Sequence, residues 1–421
     1  MEYREALAYL DRAGTQRAEP TLRRITALLD ALGKPQNKLK FVHIAGTNGK
    51  GSCAAMLASI LRAAGYRTGL YTSPYLYRFT ERMQINGEEI GAEALARCAA
   101  AVKEKADKMD EAPTPFELIT AAALLWFAEE GCKLVVLEAG LGGRFDATNV
   151  IAAPECAVIM NIGLDHTALL GSTPEQIAAE KAGIIKENRP CVVYTQSESV
   201  MAVFRARCAQ LSAPLVTPDF DAIRTEFDDL EGQVFSYRGR QYALSLPGAH
   251  QRRNAAAAIE AALVLRARGW NIPQDALEHG LYAASWPGRF ELCCDEPPFV
   301  VDGGHNPQCA EAVRDSLLHY FPDTRRVLLL GVLRDKDLAA MAAILDCAAD
   351  EYVCTAPPSE RALSAEELAE QLRVYGKRIT VCQSVSDAVF TAKERAGADG
   401  AVCAFGSVYL AGAVRYELGM Y

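Results

Sequence analysis

The run His43-Ile44-Ala45-Gly46-Thr47-Asn48-Gly49-Lys50-Gly51-Ser52 joins an apolar strand, a glycine-rich turn and the start of a helix. Glycines let backbone N–H groups close around phosphate oxygens, the helix N-terminus adds partial positive charge, and Lys50 adds a full one. This is the chemistry of a nucleotide-phosphate loop. The general pattern G-x-x-x-x-G-K-[ST] would need glycine at position 44 and a hydroxyl at position 51; the chain reads G-x-x-G-K-G-S, a shorter variant.

Outward from that run, short β-branched apolar stretches alternate with Ala- and Leu-rich helical patterns, which marks an α/β fold with a parallel sheet covered by helices. Strands are expected at Phe41–Ala45, Thr68–Tyr71, Leu134–Glu138, Ala157–Ile162 and Cys191–Tyr194, with helices from about Lys50, Ala92, Phe116, Pro174 and Glu198. A second series begins after Pro297-Pro298, with strands at Phe299–Val301, Arg326–Leu330, Glu351–Cys354, Ile379–Val381 and Ala401–Phe405. Between the series, Gln233–Tyr237 and Gln241–Ser245 flank Arg238-Gly239-Arg240 as a β-hairpin, and a helix is expected from Gln251 to Arg268. Asp295-Glu296-Pro297-Pro298 reads as a linker, giving two domains, 1–296 and 297–421.

The chain has 421 residues, with 44 Lys and Arg against 53 Asp and Glu, a formal charge of −9. That balance disfavours a nucleic-acid partner, which usually requires clustered positive charge. The stretch Leu118–Ala128 is a strongly apolar run without a charge, well short of the roughly 20 residues that span a bilayer. No membrane segment is expected, and a charged N-terminus without a signal-like apolar region implies a cytoplasmic protein. Its 13 cysteines include no Cys-x-x-Cys pair and are expected to be reduced thiols rather than zinc ligands or disulfides.

The segment from Leu32-Gly33-Lys34-Pro35-Gln36 through Ser52 resembles the folylpolyglutamate synthase and dihydrofolate synthase family of the Mur ligase superfamily. Further blocks follow in family order: Tyr71-Thr72-Ser73-Pro74, Thr114-Pro115-Phe116-Glu117-Leu118, the run from Leu137 to Asn149, Leu164-Asp165-His166-Thr167 and Glu180-Lys181-Ala182-Gly183-Ile184. Pro287-Gly288-Arg289-Phe290, Asp302-Gly303-Gly304-His305-Asn306-Pro307, Asp335-Lys336-Asp337 and Gly406-Ser407 complete the series, so the resemblance covers nearly the whole chain.

The resemblance implies an N-terminal P-loop ATPase domain of Mur ligase type and a smaller Rossmann-like α/β C-terminal domain, with ATP bound between them. It also implies an ATP-driven ligase: a folate or dihydropteroate carboxylate becomes an acyl phosphate, which the amino group of L-glutamate attacks. Bringing a γ-phosphate to a carboxylate sets two anions together, so Mg²⁺, two ions by resemblance, and fixed cations are required. Lys50, Glu138, His166 and Lys181 are the implied catalytic residues, and Ser73, Glu138, His166 and Lys181 the implied metal ligands. A carboxylate such as Glu138 at the end of an apolar strand is costly unless paired or liganded, and His166 lies just past a strand end, where ligands of open α/β sheets gather. Ser73, ahead of Pro74, also fits a simple turn.

In the superfamily the lysine matching Lys181 is often carbamylated to N6-carboxylysine, which requires a lowered amine pKa; an ordinary exposed lysine is the alternative. ATP contacts are implied for Gly46, Thr47, Asn48, Gly49, Lys50, Gly51, Ser52, Asn254, Arg289, Asp302 and His305, although the polar residues near Asn254 also suit a helix cap. Phe116, Phe145, Asp146 and Ser407 are implied substrate contacts, with Phe116 equally suited to the core. Lys336 and Arg361 join Ser407 as glutamate-site candidates on position and charge. A monomer with small-molecule partners is expected. The alternatives are a peptidoglycan-precursor Mur ligase, for which only about 40 residues precede the phosphate loop where an extra N-terminal domain would stand, and a non-catalytic nucleotide-binding switch, which has no evident need for two metals.

Overall fold

The computed structural model describes residues 1–11 and 20–420 and divides into two compact units, Met1–Ile223 with Arg253–Ala284, and Arg224–Arg252 with Ser285–Tyr421. The first unit is built on eight strands: β1 (Phe41–Ala45), β2 (Thr68–Tyr71), β3 (Met83–Ile85), β4 (Glu88–Glu89), β5 (Leu134–Glu138), β6 (Cys156–Ile159), β7 (Cys191–Val193) and β8 (Leu215–Val216). Their order across the sheet is β4-β3-β2-β5-β1-β6-β7-β8, and all neighbours are parallel except the β2–β3 and β3–β4 pairs. β1 is buried along its length, as expected of a parallel strand covered on both faces. It lies between β5 and β6, with Ile44 opposite Glu138 and Ala45 opposite Ile159. The chain from β1 therefore returns on one side of β5 and that from β5 returns beyond β1, which opens a crevice at the carboxyl ends of these strands.

Helices Lys50–Ala63 and Pro115–Glu129 both start at that edge. Thr114 caps the second through the Glu117 N–H, and Glu117 reaches back to the Thr114 N–H. The cap, with Pro115 in the first turn, places Phe116 at the helix start. Glu117 also pairs with Arg24 at 3.1 Å, both side chains largely buried.

The second unit contains a three-stranded antiparallel sheet, β9 (Arg224–Asp228), β10 (Gln233–Tyr237) and β11 (Arg240–Leu244). Arg238 and Gly239, both with positive φ, make the two-residue turn of the expected hairpin. A six-stranded sheet follows, built from β12 (Glu291–Asp295), β13 (Pro298–Asp302), β14 (Arg325–Leu330), β15 (Glu351–Cys354), β16 (Arg378–Val381) and β17 (Gly400–Phe405), in the order β12-β13-β17-β14-β15-β16. Only β12 is antiparallel to its neighbour.

The boundary expected near residue 296 falls inside the tight connection between β12 and β13; the second unit takes in Arg224–Arg252 and resumes at Ser285. Acidic and proline residues suit a turn as well as a linker. The three-stranded sheet, expected with the first domain, belongs to the second unit. Asp228 explains why: its carboxylate accepts from Tyr320 Oη at 2.5 Å and from Arg252 at 2.6 Å, and the Tyr320 hydroxyl accepts from the Gly248 N–H. All thirteen cysteines are free thiols, and among the described residues no helix is long and apolar enough to cross a membrane.

Candidate active site

The phosphate loop leaves β1 at Ala45 and enters its helix through Gly49, whose φ of +81° is the left-handed conformation that favours glycine. A Cβ at Gly49 would also lie 2.6 Å from Asn254 Oδ1, so glycine is needed for space as well as for conformation. Asn254 thus sits beside the phosphate loop. It is not a helix cap, because its helix already starts at Ala249.

Thr47 anchors the loop to the segment after β6. Its N–H donates to Asn161 O at 2.7 Å, its hydroxyl donates to Gly163 O, and the hydroxyl accepts from the Gly163 N–H, both at 3.1 Å. This fixes the stretch leading to Asp165 and His166. His166 has a φ of +50°, its N–H donates to Asp165 Oδ1 at 2.9 Å, and its imidazole is partly exposed.

Lys50 Nζ donates to Thr47 O at 3.1 Å and stands 3.9 Å from Glu138 Oε1. Both side chains are mostly buried, so little solvent screens the pair. The other Glu138 oxygen accepts from the Ser73 N–H at 3.4 Å. Lys181 completes the group. It is 4% exposed, and burial first, then the charge of Lys50, pull its amine down to about 7 against the opposing pull of Asp146, Asp165 and Glu138. The segment bearing Lys181 lies backbone-on-backbone against the loop after β5: a Cβ at Gly183 would stand 2.4 Å from Arg144 Cα, which excludes any larger residue without rearrangement.

Lys50, Ser73, Glu138 and Lys181 are therefore brought together, with Asp165, not among the residues expected at the site, as an additional carboxylate acting on Lys181. Among the described residues no three His, Cys, Asp or Glu side chains form a ready-made metal cage. Magnesium held by one or two carboxylates, phosphate oxygens and water requires none, and an oxygen donor such as the Glu138 carboxylate beside a phosphate loop suits that mode.

The implied acceptor residues flank this cluster. The Phe116 ring lies against Gly140, where a Cβ would be 2.5 Å from Phe116 Cζ, and 6.2 Å from the Tyr71 ring. Phe145 is 49% exposed, whereas Asp146 is buried with its carboxylate turned into its own loop.

In the second unit, Arg289, Asp302, His305 and Ser407 gather at the carboxyl ends of β13 and β17. Asp302 accepts from the Phe290 N–H at 2.9 Å and the Gly304 N–H at 2.6 Å, Arg289 donates to Gly288 O, and His305 Nδ1 meets Gly303 O at 3.0 Å. Ser407 caps helix Val408–Glu417 by accepting from the Tyr409 N–H. Lys336 is nearly buried beside Asp335, which Arg361 also grips at 2.5 Å.

Residues 44–262 match the Mur ligase middle domain and residues 288–408 the Mur ligase glutamate ligase domain. The dihydrofolate synthase/folylpolyglutamate synthase of Bacillus subtilis is 35% identical over 412 residues, 95% of each chain. The chain belongs to the folylpolyglutamate synthase family of Mur ligases. The Lacticaseibacillus casei folylpolyglutamate synthase is 35% identical over 99% of both chains. Among solved structures, Mycobacterium tuberculosis folylpolyglutamate synthase complexed with ADP and AMPPCP superposes with a TM-score of 0.90 at 34% identity over 99% of both chains. Escherichia coli FolC in complex with DHPP and ADP does so with 0.88 at 32% identity, covering 100% of this chain and 98% of that one.

Proposed function

We propose that this ligase joins the amino group of L-glutamate to a carboxylate of a folate, at the expense of ATP and through an acyl phosphate. The observation that carries the reading is the Lys50–Glu138 pair at the mouth of the phosphate loop, with Lys181 in electrostatic range. A carboxylate lacks an acceptable leaving group until phosphate is attached. Lys50 and the first N–H groups of its helix hold the transferring phosphoryl group and offset the charge that develops on it. Glu138, with Ser73 and His166, would hold Mg²⁺, which would supply positive charge to offset that of the phosphates. In the first unit Asn254 contacts the nucleotide and Phe116, Phe145 and Asp146 receive the acceptor; in the second, Arg289, Asp302 and His305 are the candidates for ATP contact. Lys336, Arg361 and Ser407 supply the glutamate site.

The acceptor is tested with purified protein, ATP, Mg²⁺ and glutamate, by following ADP release with tetrahydrofolate and, separately, dihydropteroate. Release with tetrahydrofolate is the expected result, and release with both makes the enzyme bifunctional. No ADP with either overturns the reading.

Lys181 is proposed to carry CO₂ as a carbamate. Its neutral amine attacks CO₂, a C–N bond forms, and one proton is released. The neutral form grows as pH rises through about 7, the value to which burial brings the amine, so modification increases from pH 6 to pH 8. With ¹³C-labelled bicarbonate, a carbamate carbon resonance that strengthens over this range and vanishes in Lys181→Met is expected. A spectrum without it at pH 8 in the presence of Mg²⁺ and ATP rejects the modification.

A further inference from the structure

A hydrogen-bonded chain runs through the core of the first unit from β1 to the loop after β5. His43 is fully buried, and its Nε2 meets Thr148 Oγ1 at 2.8 Å. The same hydroxyl lies 2.5 Å from Asp146 Oδ1, which also accepts from the Thr148 N–H at 3.0 Å, while Oδ2 accepts from the Leu141 N–H at 2.8 Å.

The direction of the chain follows from counting protons. A threonine hydroxyl has one. Burial raises the Asp146 pKa, while the Thr148 hydroxyl and the N–H groups of Leu141, Thr148 and Gly140 favour the ionised form; as a carboxylate, Asp146 takes the hydroxyl proton in a short charge-assisted bond. Thr148 Oγ1 can then only accept from His43, so His43 must be the tautomer with its proton on Nε2. Consistently, His43 Nδ1 has no hydrogen-bond partner, a tolerable place for a lone pair and a poor one for a buried N–H. Burial, helped by the charge of Lys186, lowers the His43 pKa to about 3, so the ring is neutral near pH 7.

We propose that His43 and Thr148 are positioning residues for acceptor recognition. The chain His43 Nε2–H to Thr148 Oγ1–H to Asp146 fixes the carboxylate and the 140–149 loop that carries Phe145. Its loss weakens binding of the acceptor's heterocycle and leaves ATP binding unchanged. What binds at that loop rests on the functional reading above, whereas the direction of the chain does not.

Thr148 is the position to test, since His43 shares its strand with the phosphate loop. Thr148→Val keeps the shape and removes the hydroxyl, and Thr148→Ser keeps the hydroxyl. In Thr148→Val the KM for the pteridine acceptor is expected to rise about tenfold or more, the scale of one hydrogen bond to an ionised group. The KM for ATP should stay within about twofold, and Thr148→Ser should restore the acceptor KM. An unchanged acceptor KM, an equal rise in both KM values, or failure of Thr148→Ser to restore the acceptor KM overturns the positioning role.

Independently, ¹⁵N-histidine spectra of the ligand-free protein, with His43 assigned from His43→Asn, should show a proton on Nε2 and a bare Nδ1. A proton on Nδ1 overturns the chain itself. Wild-type protein that neither binds tetrahydrofolate, by ligand fluorescence, nor releases ADP with it removes the functional reading and the acceptor role together. The tautomer result still judges the chain in that case.

Discussion

Lys50→Ala is expected to lower kcat by ~10²-fold or more at saturating ATP, the scale of removing one preorganised donor to transition-state charge. Saturation separates this from a binding defect, because a loss confined to the transition state appears in kcat and not only in KM. The structure adds a second effect. Lys50 is one of the groups that lower the Lys181 pKa, so removing it moves the Lys181 amine upward and would shift the proposed carbamate formation to higher pH. The variant's residual activity should therefore have a pH profile displaced to the alkaline side. Turnover equal to wild type at saturating ATP, measured by ADP release, would refute the assigned role of Lys50.

Glu138→Gln should have a comparable effect through the metal. The amide keeps the shape and can still accept from the Ser73 N–H, but it gives up the negative charge that attracts Mg²⁺ and pairs with Lys50 at 3.9 Å. Magnesium-dependent ATP consumption is expected to fall by ~10²-fold or more, with residual activity requiring higher Mg²⁺. Circular dichroism should be unchanged, since the substitution is isosteric at the end of a fully buried strand. Wild-type activity with an unaltered magnesium titration would count against Glu138 as a ligand.

Much of this architecture can be read from residue order. β1, β2 and β5 match the expected residues because parallel strands buried on both faces are continuous apolar runs. The short and edge strands escape the same reading. β3, β4 and β8 are only two or three residues long, β9 is an exposed polar edge, and β12 is an acidic strand whose following turn looks like a linker.

At the site, charged or polar residues at strand ends are visible in the sequence because apolar runs make them conspicuous. Their supports are not. Thr47 and Gly163 are 116 positions apart, and His43 and Thr148 are 105 apart, so no local pattern links them. The total charge misleads for a similar reason. A chain of net −9 nonetheless sets two lysines, Lys50 and Lys181, in a largely buried place beside the phosphate loop, so its local charge differs from its total.

Neither compact unit is one unbroken length of chain. The backbone passes into the second at Arg224, returns to the first at Arg253 and leaves again at Ser285. Evolution therefore cannot exchange the second unit between relatives by a single crossover. A recombinant joined only at Ser285 would inherit Asp228 from one parent and Tyr320 and His319 from the other, splitting a contact set that holds its small sheet in place. Heritable mixing within this lineage should favour whole-gene replacement, or parents similar enough that these partners still match.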